Sequence, residues 1–146
     1  MSVAILSQLL ALFAVGVAFI FGEKSARRGA FVILIMIIFA NVGMIFLNRR
    51  FDFVDPVAFI DDLIGLIGFS YIGITGKRIW PLWAASFQLL SVGAHFVRAL
   101  AIPVRPIVYA WMKSGPTWAV LILLIVGTFA NYRQRRVRES GRFLPN

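Results

Sequence analysis

The sequence contains no cysteine and a single histidine, and only six of its 146 residues are acidic. The missing thiols exclude a disulfide framework, thiol catalysis and Cys-ligated metal or iron–sulfur centres. His95 alone cannot supply the paired or triple imidazoles of zinc enzymes or of bis-histidine haem. Phosphate-cradling and dinucleotide fingerprints are also missing. Gly65, Gly68, Gly73 and Gly76 follow no strand and lead to no Lys-Ser or Lys-Thr ending, so they read as helix-packing positions. No cofactor and no metal is expected. Before Glu23 there is neither a basic n-region nor a small-residue cleavage site, so Met1 to Gly22 reads as a retained span.

What the chain has in excess is apolar length. Hydrophobic residues make up 60% of it and charged residues 14%, against roughly 45–50% and 25% in ordinary soluble domains. A soluble domain of this size leaves about a third of its unfolded surface exposed and needs polar side chains to cover it. Here apolar runs follow one another instead, so the expected solvent is a bilayer.

A hydrocarbon core of ~30 Å takes about twenty helical residues. Five segments qualify: Val3 to Gly22, Ala30 to Leu47, Val57 to Thr75, Ile79 to Leu100 and Pro116 to Tyr132. The third carries Asp61 and Asp62 in its second turn, yet its start is well signalled, with Asp55 as N-cap and Pro56 at the first helical position. Gly76 is the expected left-handed C-cap. The short link Gly76-Lys77-Arg78 predicts that spans three and four form an antiparallel hairpin. Residues 103–114 are too short to span; Val104, Ile107, Val108, Trp111 and Met112 share one helical face, which predicts an interfacial amphipathic helix. The expected fold is thus an all-α integral membrane protein with about five transmembrane helices and one short interfacial helix. Residues 1–132 form its single membrane domain and 133–146 a basic tail.

The net charge of +9 reads as an orientation signal. With the N-terminus outside, one side holds Lys24, Arg27, Arg28, Lys77, Arg78, Arg133, Arg135, Arg136, Arg138 and Arg142, ten basic residues in all; the other holds Arg49, Arg50, Arg98, Arg105 and Lys113. The positive-inside rule then puts the C-terminus in the cytoplasm, as for a bacterial inner-membrane protein. An aromatic belt is expected with Trp80, Trp83 and Tyr132 at one interface and Trp111 and Trp118 at the other. Arg133, Arg135, Arg136 and Arg138 are expected to attract anionic headgroups. Apart from Phe143 no stacking aromatics alternate with these arginines, so nucleic acid is not the expected partner.

A polar stripe crosses the fourth span. Gln88, Ser91, His95 and Arg98 are spaced by three, four and three and therefore share a face. Such groups avoid lipid and turn to a bundle interior, a partner or a wet cavity. Counting ~1.5 Å per residue from the turn at Lys77 puts Asp61 and His95 at similar depth, about 24–27 Å away. Asp61 or Asp62 is thus expected to meet His95 and Arg98, while Gly65, Gly68 and Gly73 let a neighbouring helix approach closely. Asn41, mid-span, is expected to bond between helices.

Three function classes are open. The leading expectation is a non-enzymatic assembly or accessory subunit, or a homo-oligomer. The alternative is a channel or transporter that uses Asp61, Asp62, Gln88, Ser91, His95 and Arg98 as an ion or proton path. A third, an intramembrane enzyme holding a metal and a diphosphate through Asp52, Asp55, Asp61 and Asp62 beside Arg49 and Arg50, matches no defined spacing.

Overall fold

A computed structural model describes residues 3–46, 55–100 and 105–141. They form five helices: α1 (Val3–Phe21), α2 (Lys24–Phe46), α3 (Pro56–Gly76), α4 (Ile79–Ala99) and α5 (Pro106–Gly141). Arg49, Arg50, Asp52, Val104, Arg142 and Phe143 lie outside the described residues. Three helical stretches are long and apolar enough to cross a membrane, Lys24–Gly43, Pro56–Gly76 and Gly115–Gln134, and this points to a membrane location. The apolar part of α1, Ile5–Phe21, is shorter.

Local chemistry explains most of the boundaries. Asp55 caps α3 by accepting from the backbone N–H groups of Val57 and Ala58 at 3.1 and 3.3 Å, and Pro56 occupies the first turn, where no N–H is needed. At the other end Gly76 stays helical, and Lys77, not the expected glycine, takes the left-handed conformation, with φ 48° and ψ 41°. α2 starts earlier than its apolar run, at Lys24, so Lys24, Arg27 and Arg28 form its first turns.

The expected division of the C-terminal third is corrected. Residues 106–114, the presumed interfacial helix, are continuous with 115–141 in one 36-residue helix. Pro106 begins it, which costs no hydrogen bond. Pro116 lies inside it and removes a single N–H. The first part of the basic tail is helical too, for residues such as Arg, Gln and Glu favour helix; Arg136 donates from Nε to the Tyr132 hydroxyl at 3.1 Å, one turn back. At ~1.5 Å per residue α5 is longer than a hydrocarbon core is thick.

The packing is that of small residues inside and large ones outside. Ala14, Ala18, Ala26, Ala30 and Ala84 are fully buried, together with Phe69 and Leu124. Ala11, Ala14 and Ala18 line one face of α1 at helical spacing, while Leu9, Phe13, Ile20, Ile38, Ile67 and Ile74 point outward. Water would oppose that arrangement; lipid tolerates it, because lipid tails are as apolar as leucine and helices associate through close approach of small residues.

The glycines meet specific neighbours. A Cβ at Gly65 would lie 2.7 Å from the Gln88 amide nitrogen, and one at Gly68 would lie 2.8 Å from the methyls of Val32, while Gly73 abuts Leu82. Thus Gly65 and Gly73 admit α4 and Gly68 admits α2. A second slot was not foreseen: the Trp80 ring is seated between Gly29 and Gly127, whose Cβ atoms would fall 2.7 and 2.8 Å from it. It packs on Phe69 at 6.3 Å between centroids. Trp80 is thus half-buried against its neighbours, whereas Trp83 and Trp111 are exposed.

A rigid indole cannot swing away from an added side chain, so Gly127→Val should lower stability by about 1–3 kcal/mol through overpacking. Nothing lies within 4 Å of a Cβ built at Gly93, so Gly93→Ala should be neutral or stabilising by up to about 1 kcal/mol. Thermal unfolding of both variants in the same detergent checks the contrast.

Candidate functional site

Successive residue pairs carry α3 against α4, from Gly73 with Leu82 through Gly65 with Gln88 to Asp62 with Ser91 and His95. The polar stripe therefore turns inward. Gln88, Ser91 and His95 are 1, 1 and 2% exposed. Ser91 donates its hydroxyl to Oδ2 of Asp62 at 2.6 Å, and Nε2 of His95 lies 3.1 Å from the same oxygen. When the carboxylate is ionised it can only accept, and Nε2 is then the protonated nitrogen facing it. Phe59 covers the pair, its ring edge-on to His95 at 5.8 Å and to Phe96 at 5.7 Å.

Of the two expected acids, Asp62 is the one that meets His95. Arg98 lies about one turn beyond His95 and is exposed. Serine, histidine and aspartate together suggest a hydrolytic triad, but their order excludes one. In that chemistry the imidazole stands between nucleophile and carboxylate and takes the hydroxyl proton. Here the carboxylate stands between the other two, and Ser91 gives its hydrogen bond to the acid. That arrangement leaves the hydroxyl unactivated and ties α3 to α4.

Asp61 has a different environment. It lines a cavity of about 140 Å³ together with Ser7, Gln8, Asn41, Asp62, Gln88 and Thr117 and with apolar residues of α1, α2 and α5. A water needs roughly 10–15 Å³ of such volume, so the cavity has room for several. Two acceptors on its lining residues, Oδ1 of Asp61 and Oε1 of Gln88, are buried and have no hydrogen-bond partner. The amide nitrogen of Gln88 is directed instead to the Met36 sulfur at 3.9 Å. Asn41 donates to the Ile37 carbonyl at 2.7 Å and accepts from Gln8 at 3.3 Å, giving the interhelical bond expected of it. Searched against protein-family models, curated proteins and solved structures, the chain matches none.

The cavity unites residues that were expected as a site with others that were not. Asp61 and Gln88 were foreseen; Ser7, Gln8 and Thr117 were not. The signal for two of them was present, since Ser7 and Gln8 are adjacent polar residues within an otherwise apolar first helix. Among the described residues no group of three or more His, Asp or Glu side chains is placed to hold a metal ion.

Loss of one member of a buried, hydrogen-bonded pair leaves the other stranded. His95→Leu should therefore destabilise the protein by about 3 kcal/mol and Ser91→Ala by about 1–2 kcal/mol. Asp61→Asn removes no hydrogen bond of Oδ1 and should change stability by less than about 1 kcal/mol. Chemical denaturation of the three variants, followed by helical circular dichroism, checks the order.

Proposed function

We propose that this chain is a non-enzymatic membrane carrier or channel for a small cation, the proton included, with Asp61 as its binding group. The observation that carries the reading is the pair of buried, unpartnered acceptor atoms, on Asp61 and Gln88, at a half-open cavity between apolar helices. Buried polar groups are ordinarily hydrogen-bonded, and an acidic group within a spanning segment marks an ion or proton pathway more often than a packing position. A site offering acceptors suits a cation or a donor. The assembly reading has less support, because the features that suggested it are used within the chain: Gly65, Gly68 and Gly73 are covered by Gln88, Val32 and Leu82, and Ser91 and His95 bond to Asp62.

The reading includes five spans, with α1 and α4 crossing beside the three longer apolar helices, α3 and α4 as a hairpin, the N-terminus outside and the C-terminus in the cytoplasm. The turn after α1, the turn after α3 and the end of the apolar part of α5 meet at one end of the bundle. There Arg78 donates to Glu23 at 2.8 Å and to Asn131 at 3.1 Å. That end gathers the larger set of basic residues, which favours the cytoplasmic side for it.

The purified chain, reconstituted into vesicles with a pH-sensitive dye and driven by a potassium diffusion potential, should pass protons faster than protein-free vesicles. The same assay with a sodium-sensitive dye covers the second cation. Asp61→Asn should abolish the flux while Gly93→Ala retains it. Wild-type vesicles that leak no faster than empty ones to either ion would sink the proposal.

Topology has its own test, made clean by the absence of native cysteine. In cells, a single cysteine in place of Lys24 should react with a membrane-impermeant maleimide only after the inner face is opened, and one in place of Lys113 without opening. Labelling of both from one side overturns the five-span orientation.

A further inference from the structure

The basic end of the bundle holds a second cavity, of about 530 Å³, that the cation pathway does not use. Its walls come from the turn between α1 and α2 and from the end of α3, and they carry Lys24, Ser25, Arg27, Arg28 and Arg78, with Glu23 as the one acid. Lys24, Arg27 and Arg28 follow one another at helical spacing on α2 and have no ion-pair partner among the described residues. Arg78 is fixed by its bonds to Glu23 and Asn131. Those two bonds occupy two of the five N–H donors of a guanidinium and leave others for a ligand. The Ser25 hydroxyl is buried without a hydrogen-bond partner. The N-terminal end of α2, whose dipole favours an anion, forms part of the wall.

We infer that this cavity is a binding site for a phosphate group, specifically the headgroup phosphate of an anionic phospholipid. The chemistry is that of charge-assisted N–H donors in fork geometry converging on one anion. The level supports a lipid as the source. Lys24 is the first residue of one candidate membrane span and Gly76 the last of another, and Gly76 lines the cavity beside Lys24. It therefore opens where two spans leave the hydrocarbon, at the depth of headgroups, and basic pockets between helices at that depth suit phosphate headgroups. The site is separate from the arginines of the C-terminal segment, which would act by diffuse attraction.

Native mass spectrometry of the full chain in neutral detergent tests it, with phosphatidylglycerol, phosphatidylcholine and inorganic phosphate added separately. Wild type should retain one phosphatidylglycerol at least about tenfold more tightly than phosphatidylcholine. The double variant Arg27→Gln/Arg28→Gln should lose that preference, since each basic residue near a headgroup adds roughly a fivefold factor. Both arginines are exposed, so folding, checked by helical circular dichroism, should be unaffected. The variant Arg133→Gln/Arg136→Gln should keep the preference. Displacement of the lipid by millimolar phosphate, absent in Arg27→Gln/Arg28→Gln, would support the same site with a free phosphate as its source. Equal retention of the two lipids by wild type, or a preference lost only in Arg133→Gln/Arg136→Gln, overturns the proposal.

Discussion

The carboxylate of Asp62 is the polar contact on which the arrangement of α3 and α4 depends. In an apolar bundle a buried carboxyl oxygen needs hydrogen-bond partners, and Oδ2 has two, Ser91 and His95. Both partners lie on α4, four residues apart, so one acid fixes the rotation of that helix about its axis. With α4 held so, Gln88 comes to rest against Gly65 and Leu82 against Gly73. A slip of α4 by one residue would turn the three polar groups by about 100° toward lipid, where each loses its partner at a cost of several kcal/mol.

Small residues then set how close the remaining helices come. No hydrophobic force draws apolar helices together in lipid, so dispersion at short range has to do so. The alanines of α1 and α2 supply flat surfaces, whereas Gly29 and Gly127 supply a slot for the Trp80 indole. One large ring thereby joins α4 to α2 and α5, and its contact with Phe69 adds α3. This seat has a cost, for the buried indole nitrogen of the half-buried Trp80 is left without a hydrogen-bond partner.

The all-helical class, the start of α3 and the meeting of one of the two adjacent acids with His95 were legible in the sequence because each rests on short-range physics. Apolar length marks a helix, Asp55 and Pro56 mark a start, and the residue count on either side of Lys77 places Asp61 and His95 at similar depth, without deciding between Asp61 and its neighbour Asp62. What failed to show had non-local causes. Trp80 has the composition of an interface residue, and its inward seat exists only because Gly29 and Gly127, far away along the chain, leave room. Pro116 has the composition of a break, yet α5 passes through it, since one missing N–H is a smaller loss than ending a helix among apolar neighbours. The cavity depends on five helices at once, and no spacing within one of them announces it.

Asp61 and Asp62 illustrate how neighbours in sequence acquire different roles. Consecutive positions on a helix point about 100° apart. Both acids line the cavity, but Oδ2 of Asp62 is bonded to Ser91 and His95 on α4, whereas Oδ1 of Asp61 meets no protein donor. A second acid beside the first adds repulsion and contributes nothing to the joint between α3 and α4. Asparagine in its place would keep the shape and escape that repulsion. With Oδ1 of Asp61 and Oε1 of Gln88 both buried and without a hydrogen-bond partner, the guest that the proposed function calls for is one that is cationic or donates hydrogen bonds.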